Sequence, residues 1–270
     1  MARDVLDQIA QVLTNVRKET PLVQAITNYV TINDCANILI CFGASPAMCE
    51  AVDEVEEFAG MISALYINIG TLHEEQRRAA VLAARKATAC HKPIVLDPVA
   101  CGAISRKMDV VRELLDCARI SVIKGNTGEI KSLAGCAGKV RGVDSLDDGA
   151  GAIEACRDLA ARYQIVVAAT GKTDIITDGK RTCLVDNGTP LLSLITGSGC
   201  IAGALTAAAA AVTDDRVISS AAAIMALGLA GEMAAEAAGP LPGTFRVKLF
   251  DSIYSITGND IIKRGKVRWL

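Results

Sequence analysis

Short apolar segments alternate with longer helical patterns along the middle of the chain, and this alternation constrains the fold more than any other feature. Four segments have the length and β-branched content of buried strands: 64–70 ("ALYINIG"), 92–99, 119–126 and 164–171. Helical patterns separate or flank them, over 74–90, 108–117, 127–134 and 146–162. Strands joined through helices of this length pair in parallel, with helices on both faces of the sheet. The sequence therefore predicts an α/β fold with a mostly parallel central sheet.

The segment 173–188 breaks this rhythm and predicts an antiparallel ribbon. Two extended runs flank Asp178 and Gly179, a residue pair typical of hairpin turns. Such a ribbon often extends a parallel sheet at one edge. Three further helices are predicted beyond it, over 200–212, 217–238 and 244–256. Because no linker-like segment divides the chain, we expect one domain over residues 1–270, with a glycine-spaced loop at 134–145.

Composition argues against nucleic acid and membrane as partners. The 28 Lys and Arg residues nearly balance 30 Asp and Glu residues, and aromatic residues are only 3% of the chain. Neither a basic surface nor a stacking platform for bases is expected. The apolar run 217–231 is too short and too alanine-rich to span a bilayer, and no signal peptide pattern precedes the first predicted helix. We therefore expect a soluble, cytoplasmic protein.

Small and polar residues follow each of the four predicted strands. These residues are 68–71, 97–99, 125–129 and 170–173. The carboxyl ends of parallel strands meet at one edge of a sheet, and ligands of open α/β folds bind beyond that edge. We therefore expect the four strand ends to form one site.

Asp97 and Glu129 are the candidate magnesium ligands at this edge. Asp97 follows the strand residues "PIVL" and precedes a proline, so its carboxylate would either contact Mg²⁺ or form an Asp-Pro turn. Glu129 stands in the first turn of a helix that begins near Asn126. It would either share a magnesium ion with Asp97 through water, or complement the helix dipole and cap the helix. The residues alone leave both alternatives open.

The third and fourth strand ends carry candidate phosphate contacts. Lys124 would either reach a phosphate as a point charge or extend its ammonium group into solvent. Thr170 offers a hydroxyl and Gly171 a backbone N–H to a nucleotide phosphate. These groups predict nucleotide contacts at this edge.

A glycine-rich turn, Gly197-Ser198-Gly199, opens the first of the C-terminal helices. The glycines leave backbone N–H groups unshielded at a helix N terminus, where the helix dipole favours an anion. The turn lacks the GxxxxGK[ST] spacing, which excludes a P-loop, and it has no cationic side chain. It is better suited to charge that develops during a reaction, so we expect these residues to act in catalysis.

Cys200 follows this turn at the start of the helix. The chain has ten cysteines without a CxxC pair and only two histidines, which favours reduced thiols over a zinc cluster. A helix N terminus favours the thiolate form, which would accept a proton from a substrate hydroxyl. The alternative is a buried helix cysteine like the other nine.

Several motifs occur in order and together resemble one enzyme family. They are "PLVQAITNYVTINDCAN" (21–37), "GASPAM" (43–48), "NIGTL" (68–72), "VLDPVACGA" (95–103), "VIKGNTGEI" (122–130), "ATG" (169–171), "ITGSGC" (195–200) and "GPLPGTFRVKLFDSIY" (239–254). Over about residues 20–257 the chain resembles the hydroxyethylthiazole kinases, which have a ribokinase-like fold. The resemblance implies a three-layer sandwich with helices on both faces of the sheet.

The resemblance implies transfer of the ATP γ-phosphoryl group to the alcohol of 4-methyl-5-(2-hydroxyethyl)thiazole, in a homotrimer whose thiazole pockets lie at subunit interfaces. Mg²⁺ near the two carboxylates would bridge the phosphates. One alternative is a kinase of the same fold that acts on a hydroxymethylpyrimidine or a sugar. Another is an ADP- or ATP-dependent nicotinamide-hydrate dehydratase, which "ITNYVT" and "GASPAM" argue against. A third is a nucleotide-binding regulator without catalysis.

The same resemblance assigns individual residues to substrate and nucleotide. The thiazole contacts are Met48, Asn28, Gly70 and Gly197, and Cys200 lies beside the reacting hydroxyl. The ATP contacts are Lys124 and Thr170, to which we add Asn126 and Gly171 at the same strand ends. Lys124 departs from the arginine usual in the family, and it keeps the charge but loses the bidentate fork. We expect ATP binding to persist with altered phosphate geometry. Gln24 likewise replaces a histidine of many members.

Overall fold

One nine-stranded sheet runs through the part of the chain that the computed structural model describes, residues 2–136 and 149–270. Its strands are β1 (Leu22–Ile26), β2 (Ser45–Ala47), β3 (Ala64–Asn68), β4 (Ile94–Asp97), β5 (Val122–Asn126), β6 (Val166–Thr170), β7 (Asp174–Thr177), β8 (Thr182–Val185) and β9 (Val267–Trp269). The helices are α1 (Ala2–Glu19), α2 (Ile32–Phe42), α3 (Val55–Ala59), α4 (Glu74–Ala89), α5 (Ser105–Cys117), α6 (Thr127–Ala134), α7 (Gly149–Tyr163), α8 (Ser198–Ala210), α9 (Arg216–Ala238), α10 (Pro242–Ser255) and α11 (Gly258–Arg264), with a 3₁₀ helix at Pro190–Leu194.

The sheet is parallel from β2 to β6 and antiparallel from β6 to β9, in the spatial order β2-β1-β3-β4-β5-β6-β7-β8-β9. The four strands predicted from the alternation are β3 to β6, and the predicted ribbon is β7 with β8, so both predictions are confirmed. Three strands carry no comparable signal in the sequence. Strand β1 contains the polar Gln24, while β2 ("SPA") and β9 are three residues each and form the two edges of the sheet.

Side chains of the central strands alternate between two apolar layers. In β3, Ala64 and Tyr66 belong to one layer, and Leu65 and Ile67 belong to the other. The first layer includes α1, α2 and α8 to α11, and the second includes α3 to α7. A strand that is buried on both faces shows this period of two. The predicted three-layer α/β arrangement is therefore confirmed.

The helix α9 lies in the core of the first layer. It is long and apolar enough to cross a membrane, but 89% of its apolar window is buried inside the protein. The prediction that this run is too short to span is wrong about the length, because α9 continues for 23 residues. Its alanines allow close packing against α8, so α9 is a core helix.

The predicted helices match the structure closely, apart from one segment. The loop predicted at 134–145 starts after α6 with Gly135, which has a left-handed φ of 86°. Residues 137–145 of that prediction lie outside the described residues. The helix predicted at 146–162 is α7, which the structure describes from Gly149 onward.

The close approach of α8 to β3 gives a test of the packing. A Cβ atom at Gly203 would lie 2.6 Å from Tyr66 Cε2. We expect Gly203→Ala to lower the free energy of unfolding by about 1–3 kcal/mol, because overpacking outweighs the gain in helix propensity. Gly243→Ala in α10 is the control, since an added Cβ there meets no heavy atom of the described chain within 4 Å. Urea unfolding measures both variants, and equal stabilities would contradict this packing.

Candidate active site

The four predicted strand ends lie side by side at one edge of the sheet. Asn68 pairs in register with Asp97 across β3 and β4, and Asn126 pairs with Thr170 across β5 and β6. Helix α8 packs against β3 and β4, and Cys200 in its first turn contacts Asn68. The glycine-rich turn that opens α8 therefore lies at the same edge, as the sequence predicts.

The Cys200 sulfur accepts two hydrogen bonds from side-chain amides. Asn28 Nδ2 donates to it at 3.2 Å and Asn68 Nδ2 at 3.3 Å. Asn28 Nδ2 also donates to Asn68 Oδ1 at 3.0 Å, so the sulfur and both amides form a closed group. Cys200 is partly exposed, whereas a core cysteine such as Cys183 is buried. The alternative of a sealed core cysteine does not describe this geometry.

Gly70 joins this group, and Met48 lies outside it. The Gly70 N–H donates to Asn68 Oδ1 at 2.9 Å, and a Cβ at Gly70 would lie 2.9 Å from Asn28 Cβ. Met48 directly follows the edge strand β2 and packs, half-buried, against the layer that contains α8. The structure thus brings three of the predicted residues, Asn28, Gly70 and Cys200, into one hydrogen-bonded or contacting set.

Asp97 is a buried carboxylate surrounded by donors. Its Oδ2 atom lies 3.1 Å from Tyr66 Oη, 3.1 Å from Asn68 Nδ2 and 3.5 Å from Lys124 Nζ. Burial raises the pKa of Asp97 to about 6, although the charge of Lys124 opposes the shift. The negative charge of Glu129 raises that pKa further. A turn does follow Asp97 and Pro98, in which the Cys101 N–H donates to the Pro98 carbonyl at 3.0 Å, and a magnesium contact of the carboxylate stays a prediction.

Lys124 is buried beneath the glycine-rich turn. Its side chain is 3% exposed, and its Nζ atom forms the ion pair with Asp97. A Cβ at Gly199 would lie 3.1 Å from Lys124 Nζ, so the ammonium group reaches the underside of the turn. The alternative in which Lys124 extends into solvent is therefore wrong.

Glu129 caps the helix α6, as one of its two alternatives predicts. Its Oε2 atom accepts the Asn126 N–H at 2.8 Å, and Asn126 Oδ1 accepts the Glu129 N–H at 2.9 Å. Its Oε1 atom accepts the Ala100 N–H at 2.9 Å. Within residues 2–136 and 149–270, no group of three or more His, Cys, Asp or Glu side chains is arranged to hold a metal ion. A water-mediated magnesium contact of Glu129 with Asp97 stays a prediction.

The turn that precedes α8 requires glycine at its first position. Gly197 is the N-cap of α8 with a left-handed φ of 86°, and a Cβ there would lie 2.2 Å from Thr31 Cγ2. No side chain in the described part of the chain caps this helix N terminus. The backbone N–H groups of Ser198 and Gly199 thus lie at a helix N terminus, and binding of an anion there stays a prediction.

The predicted nucleotide contacts at the ends of β5 and β6 already have partners within the chain. Thr170 Oγ1 donates to the Gly125 carbonyl at 3.3 Å. The Gly171 N–H donates to Asp174 Oδ1 at 2.9 Å, so a phosphate would have to displace this carboxylate to use that N–H. Asn126 uses its side chain in the α6 cap. ATP contacts of these residues stay predictions.

The structure gives Gln24 a role that the sequence did not reveal. Its Nε2 atom donates to the Cys49 carbonyl at 3.0 Å, which fixes the segment directly after Met48. Gln24 is fully buried, and its Oε1 atom has no hydrogen-bond partner in the described chain. The departure from histidine therefore lies next to the predicted thiazole contact.

Sequence reasoning missed Tyr66 and gave Asn68 no role. Tyr66 is fully buried, and its hydroxyl lies 2.9 Å from the Cys200 carbonyl as well as beside Asp97. Burial and the Asp97 charge raise the pKa of Tyr66 well above its usual value. A signal existed in "ALYINIG", because a tyrosine and an asparagine in a strand that is buried on both faces need internal partners.

Comparison with known proteins identifies the family. The model of the "Hydroxyethylthiazole kinase family" matches residues 13–259. The chain belongs to this family. It is 54% identical over 258 residues to "Hydroxyethylthiazole kinase 1" of Clostridium botulinum, which covers 96% of this chain and 98% of that relative. It is 53% identical over 265 residues to "Hydroxyethylthiazole kinase" of Desulfitobacterium hafniense, covering 98% and 99%.

Solved structures support the same assignment. The hydroxyethylthiazole kinase protein of Pyrococcus horikoshii superposes with a TM-score of 0.90 at 40% identity, over 97% of this chain and 98% of that chain. A Bacillus subtilis pyridoxal kinase has a TM-score of 0.58 at 17% identity over 79% and 92%, which shows a shared fold alone. The predicted family and the ribokinase-like fold class are confirmed, and the protein is a kinase of this family.

Gly197 and Gly135 form a matched pair that separates backbone strain from steric contact. Both have a φ of 86°, but an added Cβ clashes with Thr31 at Gly197, whereas at Gly135 it meets no atom of residues 2–136 and 149–270 within 4 Å. Alanine in the left-handed region costs about 1–2 kcal/mol at either position. We expect Gly197→Ala to lose at least about 1 kcal/mol more than Gly135→Ala, because of the added clash. Denaturant unfolding measures the free energy of unfolding of both variants. Equal losses would show that the contact with Thr31 does not require glycine at position 197.

Asp174 gives a prediction about stability and pH. Burial raises the pKa of Asp174 to about 7, against the Gly171 N–H and Lys124, which lower it. Because this pKa is higher in the folded state than in the unfolded state, the free energy of unfolding of the protein falls as pH rises from about 4 to about 7. Asp174→Asn keeps an acceptor for Gly171, so we expect it to lose less stability than wild type between pH 5 and pH 8. Urea unfolding at both pH values tests this, and identical losses would contradict it.

Proposed function

We propose that this protein transfers the γ-phosphoryl group of ATP to the hydroxyethyl alcohol of 4-methyl-5-(2-hydroxyethyl)thiazole, yielding a thiazole phosphate for thiamine biosynthesis. The main support is Cys200, a partly exposed residue whose sulfur accepts hydrogen bonds from two amides in the first turn of α8, where no side chain of the described residues caps the helix. This arrangement offers a group for an alcohol and backbone donors for a phosphoryl group at one place. Membership of the family favours the thiazole alcohol over a pyrimidine or sugar alcohol.

In this proposal the thiazole contacts Met48, Asn28, Gly70 and Gly197. Asn28 touches the Cys200 sulfur, so a ring that contacts Asn28 carries its side-chain alcohol toward that sulfur. Glycine is required at positions 70 and 197 for this side of the site, because a Cβ at Gly70 would displace Asn28 and a Cβ at Gly197 would displace Thr31. Substrate orientation of this kind is a large source of rate enhancement.

ATP and Mg²⁺ occupy the other side of the proposed site. ATP contacts Lys124, Asn126, Thr170 and Gly171 at the ends of β5 and β6. We assign Asp97 and Glu129 to a magnesium ion held mainly through water, because Glu129 Oε1 accepts the N–H of Ala100, three residues after Asp97, so both carboxylates border the loop that follows β4. When bound, the ion neutralises charge on the phosphates.

In this proposal the backbone N–H groups and the Cys200 sulfur position the reactants and stabilise charge, and none of them forms a covalent bond to the phosphoryl group. Phosphoryl transfer needs in-line placement and charge stabilisation more than covalent chemistry. The N–H groups of Ser198 and Gly199 donate to the migrating phosphoryl group in this proposal. The Cys200 sulfur orients the alcohol and accepts its proton. Because that proton leaves late in a loose transition state, a strong base is not required.

The proposal extends to the assembly and its location. We assign one kinase domain over residues 1–270, acting as a cytoplasmic homotrimer with active sites at the subunit interfaces. Tyr29 and Val30, next to Asn28, are exposed, as are Val247 and Tyr254 on α10. In the proposed trimer these side chains lie in the subunit contact, because contiguous exposed apolar patches mark protein interfaces. Light scattering after gel filtration tests the trimer, and a monomer at micromolar concentration would exclude it.

A single assay tests the reaction. Purified protein receives ATP, Mg²⁺ and one alcohol, either hydroxyethylthiazole, hydroxymethylpyrimidine or ribose, and ADP release is measured. We expect ADP and thiazole phosphate in equal amounts from the first alcohol and the lowest KM for it. ADP release with another alcohol alone would assign a different kinase activity. Repair of hydrated nicotinamide nucleotide without alcohol phosphorylation would support the dehydratase alternative.

Cys200→Ala tests the role of the sulfur in this reaction. We expect kcat to fall on the order of 100-fold, at the low end of losses seen when a proton acceptor is removed. The KM for ATP should change little, because the variant leaves Lys124 and the strand ends intact. Cys117→Ala is the control, since Cys117 lies half-buried on α5 in the opposite layer. An unchanged kcat for Cys200→Ala would remove the proton-acceptor role while leaving the kinase assignment intact.

A further inference from the structure

Asn68 has the densest set of hydrogen bonds in the candidate site. The side chain is fully buried at the end of β3. Its Nδ2 atom lies 3.0 Å from Tyr66 Oη, 3.1 Å from Asp97 Oδ2 and 3.3 Å from Cys200 Sγ. Its Oδ1 atom accepts from Asn28 Nδ2 at 3.0 Å and from the Gly70 N–H at 2.9 Å. One amide therefore joins the sulfur to the buried carboxylate.

The orientation of this amide is fixed by the backbone. A backbone N–H can only donate, so the Asn68 atom that faces the Gly70 N–H must be the oxygen. Asn28 is fixed in the same way, because its Oδ1 atom accepts the Thr31 N–H at 3.1 Å. Both Nδ2 groups consequently face the Cys200 sulfur as donors.

Two donors leave one open direction at the sulfur. A neutral thiol has two lone pairs, and the amides of Asn28 and Asn68 occupy both. Its S–H bond then points away from them and can donate to a substrate hydroxyl but not accept its proton. A thiolate has a third lone pair, which in this geometry occupies the direction of the S–H bond.

The amide has fewer hydrogens than acceptors within reach. It carries two N–H hydrogens, and the three acceptors are Tyr66 Oη, Asp97 Oδ2 and Cys200 Sγ. One hydrogen therefore faces the sulfur, and the other is shared between the phenol and the carboxylate. Any rotation of the amide that strengthens one contact weakens another, so the sulfur and the carboxylate are held in one geometry.

We propose that Asn68 is a positioning residue that acts through Cys200. Its amide keeps the open direction of the sulfur aligned with the incoming alcohol and at a fixed separation from Asp97. This inference rests on the proposed kinase reaction for its kinetic consequences but not for its geometry. Asn68 itself touches neither reactant in this scheme.

A double-mutant cycle tests the coupling. We expect Asn68→Ser to lower kcat about 30-fold with the KM for ATP nearly unchanged, because small misplacements of reacting groups have large kinetic effects. In the Cys200→Ala background the same substitution should lower kcat less than about threefold, since residues that act as a unit are not additive. If Asn68→Ser does not fold, Asn68→Thr replaces it, because a β-branched side chain suits the strand β3 and it also lacks the amide that donates to Cys200.

Asn187→Ser is the matched control. Asn187 is also buried and hydrogen-bonded, to Glu232 and to the backbone of Arg264 and Lys266, and none of these partners belongs to the hydrogen-bonded group of Asn68, Cys200 and Asp97. We expect its kcat to stay within about twofold of wild type. Equal losses of kcat in Asn68→Ser with and without Cys200 would overturn the proposal. A comparable loss in Asn187→Ser would overturn it too, because the effect would then reflect general destabilisation.

A second measurement separates this proposal from the proposed function. The rate at which iodoacetamide alkylates Cys200 is followed by peptide mass spectrometry, with Cys117 in the same sample as reference. We expect Asn68→Ser to slow alkylation of Cys200 by about threefold or more relative to Cys117, because a donor to the reacting sulfur anion is lost. An unchanged ratio would overturn the positioning role. Absence of thiazole phosphorylation by wild type would instead overturn the proposed function and leave this ratio interpretable.

Discussion

The buried carboxylate of Asp97 determines how the strand ends are arranged. Removing a carboxylate from water costs several kcal/mol unless charge and hydrogen bonds compensate it. The compensating groups come from neighbouring strands: Tyr66 and Asn68 from β3, and Lys124 from β5. Loss of any one would leave part of the charge uncompensated. The buried carboxylate thus gives the ends of β3, β4 and β5 a shared set of contacts.

The same network places the helix that carries the proposed catalytic turn. The Tyr66 hydroxyl lies between Asp97 Oδ2 and the Cys200 carbonyl, so one phenol links the carboxylate to the first turn of α8. Gly203, at which any side chain would meet the Tyr66 ring, lets α8 approach the strand closely enough for this bond. The position of the N–H groups at the start of α8 therefore depends on the packing of Gly203 against Tyr66, one turn further along that helix. A backbone anion site needs such support because backbone groups cannot adjust individually.

How much of this the sequence could predict depends on the range of the interactions. The strands β3 to β6 and their polar ends follow from a local pattern of apolar runs, so they were predictable. The strand β1 was not, because Gln24 interrupts its apolar pattern and finds its partner at Cys49 only in the folded chain. The two alternatives for Glu129 could not be separated either, since capping depends on the distance to the Asn126 and Ala100 backbone. The contacts of Asn68 could not be predicted, because its partners Asn28, Asp97 and Cys200 lie in other parts of the chain and meet only in the folded structure.

Lys124 suits this charge arrangement, and its expected departure from an arginine of the family stays a prediction. Lys124 lies within electrostatic reach of two buried carboxylates, Asp97 and Asp174, and lowers the pKa of both against the effect of burial. A compact ammonium group can compensate both charges without the planar alignment that a guanidinium needs. The space beneath Gly199 is also narrow, since one added carbon there would approach Nζ to 3.1 Å. Lys124 therefore compensates charge within the fold, and in the proposed function it would contact a phosphate as a point charge rather than through a bidentate fork.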